Sequence, residues 1–202
     1  MVNKLWGCIL FICITLMQNS CVESRVIASA DYHTNQKKID SIHYLYNSIY
    51  KKKAFSLEFN NKPFNNLSIA IYTDSIKYIY QFKITEKRME DTLRKYNVDV
   101  AGIKQLVSLM SSVHCTWINN LAYYDNGIEK KLTYISIRSL VATFPFTTSK
   151  YFILTYFEQP QYYDTRGRLL TGKEMRKLRQ INNEIFHRIN DSLAYTISEK
   201  FR

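Results

Sequence analysis

Glycine and proline are scarce in this chain, five and three among 202 residues, which excludes collagen-like and low-complexity architectures. Cysteine is limited to Cys8, Cys13, Cys21 and Cys115, too few and too unevenly placed for a disulfide scaffold. The four histidines, His33, His43, His114 and His187, include no two at metal-ligand spacing. There is no glycine-rich phosphate loop, no Gly-x-Ser-x-Gly elbow and no His-Glu-x-x-His helix motif. No catalytic residue, cofactor or metal is therefore expected. Acidic residues are also few, 17 against 28 lysines and arginines, a formal charge of +11. What is present is a globular apolar fraction of 46% and 27 Tyr and Phe rings, 16 and 11 respectively. The length suits one generous domain.

The N-terminus has the three parts of an export signal. Lys4 supplies the positive charge, Leu5 to Met17 form an apolar run broken only by Gly7 and Thr15, and Gln18-Asn19-Ser20 is polar. A membrane-crossing helix needs about 20 apolar residues, and this run is shorter. The stretch Leu16-Met17-Gln18-Asn19-Ser20-Cys21 resembles the end of a bacterial lipoprotein signal peptide. Ser20 is the small residue expected before the cysteine, whereas Gln18 and Asn19 stand where the class usually carries Leu and Ala or Ser. The resemblance covers about a tenth of the chain. It implies cleavage before Cys21, diacylglycerol on that thiol and acylation of the new amine. It also implies the outer membrane rather than the inner, since Val22 and not Asp follows. Ala28-Ser29-Ala30 is a rival site, where ordinary signal peptidase would cut before Asp31 and release a secreted domain.

Residues 1–20 thus read as signal, 21–35 as lipidated cysteine and flexible tether, and 36–202 as one globular domain. Removal of the signal deletes only one charge, Lys4, leaving +10. Gln36 to Lys51 carries a helical stripe of Ile39, Ile42, Leu45, Tyr46 and Ile49. Phe55, Leu57 and Phe59 then alternate as in a strand, as do Leu67, Ile69 and Ile71, and, after a turn at Thr73-Asp74, Ile76, Tyr78, Tyr80 and Phe82. Thr85 and Asp99 are candidate caps for two helices, the second carrying Ile103, Leu106, Val107, Met110 and Val113. Asn126-Gly127 predicts a two-residue hairpin that sets Ile118 against Ile135 and Leu121 against Leu132. Leu140 to Phe146 and Tyr151 to Phe157 read as further strands. Thr171-Gly172-Lys173-Glu174 has capping-box spacing and opens a long amphipathic helix with a stripe of Met175, Leu178, Ile185, Phe186, Ile189, Leu193 and Ile197. The predicted class is α+β: an antiparallel sheet with helices on one face and a long C-terminal helix.

Among candidate sites, the segment from Glu158 to Arg179 has the most unusual composition. Arg166, Arg168, Lys173, Arg176, Lys177 and Arg179 face a single acid, Glu174, and follow Tyr162 and Tyr163. Together they form a candidate docking surface for an anionic envelope component or an acidic protein; a solvated helix face is the plain alternative. The export signal sets nucleic acid aside as a partner. Tyr123, Tyr124, Tyr162 and Tyr163 are candidate sugar-stacking rings. His114-Cys115 invites comparison with a Cys–His dyad, but adjacent strand residues point to opposite faces. The expected function is a lipid-anchored envelope protein acting by binding. The alternatives are a hydrolase of envelope polymers, its site assembled by folding, and a protective protein that occupies a toxin. Labelled palmitate should enter the wild-type chain and be absent from Cys21→Ala, as read by label and intact mass; an unlabelled chain starting at Asp31 would instead identify a secreted domain.

Overall fold

The structure is a computed structural model describing residues 32–125, 127–138, 150–169 and 186–198. The signal, Cys21, the tether as far as residue 31 and the expected strand from Leu140 to Phe146 lie outside the described residues. Helix α1 covers 32–50. Residues 32–35, expected within the tether, are already helical, and Tyr32 is buried beside Phe152. Three strands follow, β1 Phe55–Phe59, β2 Asn66–Tyr72 and β3 Lys77–Lys83, then α2 Lys87–Lys95 and α3 Val100–Ser112. The chain continues through β4 Cys115–Asp125, β5 Ile128–Arg138, β6 Tyr151–Phe157, β7 His187–Arg188 and β8 Leu193–Ser198.

The eight described strands form one sheet in the order β3-β2-β1-β4-β5-β6-β8-β7, and every pairing among them is antiparallel. Local chemistry explains the tight connections. Gly127 has φ +76°, the left-handed region that a two-residue hairpin loop requires, and Ile118 pairs with Ile135 and Leu121 with Leu132. At the β2–β3 turn, the Thr73 hydroxyl accepts from the Ile76 amide at 3.1 Å and donates to its carbonyl at 2.8 Å. Asp99 caps α3 by accepting from the Gly102 amide at 3.0 Å. A Cβ on Gly102 would lie 2.7 Å from the Asp99 carboxylate and 2.8 Å from Ile49, so glycine is what lets α3 approach α1. Helix α2 departs from expectation: Glu86, not Thr85, is its N-cap residue, and it makes no side-chain cap bond.

The predicted long C-terminal helix is overturned. Phe186 is buried in the sheet's second apolar cluster, His187–Arg188 pair with β8, and Leu193–Ser198 pair with β6. Residues 170–185, with the proposed capping box, lie outside the described residues. The physical reason is a degeneracy of period. Leu193 and Ile197, four residues apart, share a face in a helix and in a strand alike. Asn190-Asp191-Ser192 breaks the tie: the Asn190 and Ile189 amides bond the Leu193 carbonyl at 3.1 and 2.9 Å, and the chain doubles back onto the open edge of β6.

The three described helices bury their apolar side chains in one cluster with Phe55, Leu57, Ile69, Ile71, Ile118, Ile135 and Leu154 from the sheet. The other face of β4, β5, β6 and β8 holds a separate cluster of Trp117, Tyr134, Ile153, Phe157, Leu169 and Phe186. Fully burying one such large side chain contributes about 1.5–3 kcal/mol. Helix α1 crosses the sheet diagonally, with Tyr32 at Phe152 of β6, Asn47 at Thr133 of β5, and Tyr46 at Phe55 of β1.

Where α1 reaches β1, its side chain enters the ladder. Strands β1 and β4 pair at Leu57↔Ile118 and Glu58↔Trp117, a register that sets Phe55 opposite Asn120. There the Tyr46 hydroxyl donates to the Phe55 carbonyl at 2.7 Å and accepts from the Asn120 amide at 3.1 Å. One buried phenol thus substitutes for a ladder bond. Tyr46→Phe leaves both backbone groups without that partner and should cost about 1–3 kcal/mol in urea unfolding, with faster amide exchange at Asn120.

Candidate functional site

A cleft of about 680 Å³ opens where the end of α1 meets β4, β5 and β6. That volume lies within the usual range of small-ligand sites, about 300–1,000 Å³. Its floor is polar and already organised. The Asn120 side-chain NH2 donates to the Asn47 side-chain oxygen at 3.1 Å, the Thr133 hydroxyl donates to the Asn120 side-chain oxygen at 2.6 Å, and the Asn47 side-chain NH2 donates to the Thr133 hydroxyl at 3.3 Å and to the His43 backbone carbonyl at 3.1 Å. Three residues from three elements, α1, β4 and β5, therefore hold one another in place. This follows from the Tyr46 bridge, because the phenol occupies the backbone side of Asn120 while its side chain faces α1.

Aromatic and charged groups surround this floor. The His43 ring stacks on Tyr156 with centroids 4.0 Å apart and planes 13° from parallel, and Tyr156 donates to Asp40 at 3.1 Å. Burial pushes the His43 imidazole below its ordinary value, while the Asp40 charge pulls partly the other way. Burial, and then the same Asp40 charge, push the Tyr156 phenol up, so it stays neutral and donating. Lys51, Lys52 and Lys131 line the mouth, with Tyr50 beside them. Among the described residues none of these three ammoniums is ion-paired. The helix end accounts for part of this: Lys51 and Lys52 sit over the carbonyl terminus of α1, where the helix dipole favours cations. Glu158 is the one acid in the lining, and its carboxylate accepts from the Lys131 backbone amide at 3.1 Å.

The residues singled out from sequence fall elsewhere. Tyr162 is 82% exposed, whereas Tyr163 is half-buried against the second cluster with Arg188 over its ring. Asp164 turns the chain, accepting from the Arg166 and Arg168 amides at 2.9 and 2.8 Å and pairing with the Arg168 guanidinium at 2.7 Å. Those bonds, the Arg168 amide foremost, hold its carboxyl below the usual range. Arg168 is thus committed within its own turn and Arg166 is exposed; Lys173, Arg176, Lys177 and Arg179 lie outside the described residues, as does Cys21. The six basic residues are not shown as one surface. Tyr123 is buried, which removes it from the exposed rings, and the Tyr124 side chain lies outside the described residues. The Cys115 thiol is fully buried, donates to the Trp117 carbonyl at 3.6 Å and is pushed up to about 12 by burial, so it carries no thiolate near neutrality. His114, at φ 55°, turns its ring edge-on to Phe64. Among the described residues no three His, Cys, Asp or Glu are placed to hold a metal, and no helix is long and apolar enough to cross a membrane.

Sequence reading missed the cleft because its members are ordinary one at a time. Asn47, Asn120 and Thr133 lie 73 and 13 residues apart and carry no motif. The one available signal was polar: Asn119-Asn120 interrupts the apolar run from Trp117 to Tyr124, and Thr133 stands between Leu132 and Tyr134. Because its folded value is lowered, His43 contributes stability that is fully present above about pH 6.5 and is lost as pH falls below it, where the unfolded chain takes up the proton first. His43→Gln should flatten that acid-side slope in urea unfolding followed across pH. Compared with known proteins, the chain matches no family, no curated protein and no solved structure.

Proposed function

We propose that this chain is a lipid-anchored bacterial envelope protein, attached through Cys21 to the outer membrane, that works by binding an anionic, hydroxyl-rich envelope component in the α1–β4–β5–β6 cleft. The observation that carries the binding reading is the convergence of Lys51, Lys52 and Lys131 on the fixed Asn47–Asn120–Thr133 floor. Three ammoniums against one carboxylate favour a ligand bearing phosphate or carboxylate. Amide and hydroxyl groups with Tyr50 and Tyr156 beside them suit sugar hydroxyls and ring faces. The anchor rests on the segment from Lys4 to Cys21, whose form resembles a lipoprotein signal.

A hydrolytic reading is favoured by one observation, His43 and Glu158 in the same cleft. Both are already engaged, however, the imidazole stacked on Tyr156 and the carboxylate on the Lys131 amide. Binding is the better account of groups tied down in this way.

Full-length protein in detergent should bind N-acetylglucosamine 1-phosphate more tightly than N-acetylglucosamine in calorimetry, and the difference should shrink with added salt. Lys51→Gln with Lys131→Gln should weaken the phosphorylated probe by about tenfold, the effect of two exposed charges of about 0.7 kcal/mol each. Equal affinity for both probes, or an unchanged double variant, would remove the cleft from the proposal.

A further inference from the structure

Among the described residues the sheet ends at β3, and this edge carries an independent signal. Hydrogen bonds at its two ends fix which backbone groups point outward. The Thr73 amide bonds the Ile76 carbonyl and the Ile84 amide bonds the Asn65 carbonyl, so residues 78, 80 and 82 turn their backbone groups toward β2. Residues 77, 79, 81 and 83 turn theirs to the open side. One end of that side is closed by α2: the Lys83 amide donates to Glu86 at 3.3 Å, and Arg88 donates to the Gln81 carbonyl at 3.2 Å. The other end, from Lys77 to the Gln81 amide, has no such cover among the described residues.

This uncovered end is also apolar. Ile76, Tyr78 and Ile79 are 53%, 37% and 61% exposed, three of the six exposed large hydrophobic residues described in the chain. Native edges are usually blunted by charge, bulges or a covering element. Here the blunting stops halfway.

We propose that this edge pairs with the same edge of a second copy, antiparallel about a two-fold axis through Ile79. Strand geometry permits few symmetric registers, and chemistry selects among them. Centring on Tyr80 sets Lys77 against the second copy's Lys83 and requires the Lys83 amide already held by Glu86. Centring on Lys77 opposes two lysines directly, and centring on Tyr78 sets each Ile79 against a lysine. Centring on Ile79 places isoleucine on isoleucine, Tyr78 opposite Tyr80, Ile76 opposite Phe82, and Lys77 opposite Gln81. The exposed Ile79 and Tyr78 then meet an apolar side chain and a ring, Ile76 lies opposite the buried Phe82, no lysine faces a lysine, and the outward amides of Lys77, Ile79 and Gln81 gain carbonyl partners. The Gln81 carbonyl keeps a second lone pair beside Arg88. The Tyr78–Tyr80–Phe82 ring ladder, whose successive centroids are 6.4 and 6.0 Å apart, would continue across the axis.

The test is crosslinking of the full chain in host membranes with a short bis-maleimide, at single introduced cysteines on this exposed edge. Ile79→Cys brings two thiols onto Cα atoms about 5.5 Å apart, whereas Lys83→Cys leaves them about 27 Å apart. The expected result is at least about tenfold more covalent dimer from Ile79→Cys than from Lys83→Cys or the unaltered chain. Both positions are solvent-exposed, so the comparison reads that reach across the axis. Yield should rise with added salt, since copies carrying +10 repel one another. Tyr78→Lys in the Ile79→Cys background should abolish the dimer. Equal yields at the two positions would overturn the proposal. So would an Ile79→Cys adduct to a different protein that weakens with salt, which would assign the edge to an acidic foreign strand. None of these readouts depends on what the cleft binds.

Discussion

The phenol of Tyr46 is the joint on which the molecule turns. An antiparallel ladder running on from Leu57↔Ile118 would bond the Asn120 amide directly to the Phe55 carbonyl; instead a side chain from α1 stands between them, satisfying both. Buried backbone groups cost about 1–3 kcal/mol when left unpaired, so the strands can part here only because a hydroxyl of the right reach is delivered to the gap. Tyr46 is fully buried, and its pKa is pushed well above the usual phenol value, chiefly by burial, which keeps it in the neutral form that both donates and accepts. The same residue fixes the position of α1 over the sheet, and with it Asn47 and His43 one residue and three residues away.

Everything in the cleft descends from that placement. Asn47 arrives opposite Thr133 and Asn120, His43 arrives over Tyr156, and the helix ends where Lys51 and Lys52 flank the opening. The floor's side chains are tied to one another, and Lys51, Lys52 and Lys131 have no ion pair among the described residues, so the shape of the floor is set internally. The domain therefore presents two separate surfaces, this cleft near the middle of the sheet and the half-covered edge of β3 at its end, and the two do not compete for the same residues.

Much of the local structure was legible before any coordinates. The stripe of Ile39, Ile42, Leu45, Tyr46 and Ile49 named a helix, alternation named β1, β2 and β3, and Asn126-Gly127 set the β4–β5 register. Each of these is a short-range pattern in which one period fits and the other fails. The C-terminal reading failed where that contrast vanishes. Leu193 and Ile197 satisfy both periods, and the turn chemistry of Asn190-Asp191-Ser192 and the vacant edge of β6 decided for a strand. Asp164 behaved as its turn position suggested, but in doing so it took Arg168 out of the basic segment.

The sequence by itself determined composition, charge, the export-like N-terminus and the periodic elements, because those depend on neighbours within a few residues. Only the tertiary structure decided the site. Asn47, Asn120 and Thr133 are unremarkable alone, and nothing short-range ties Tyr46 to Phe55 and Asn120. Hydrogen bonds between residues more than seventy positions apart form only after the helix has been laid across the sheet. The chemistry of this protein therefore lies in contacts that no window along the chain contains.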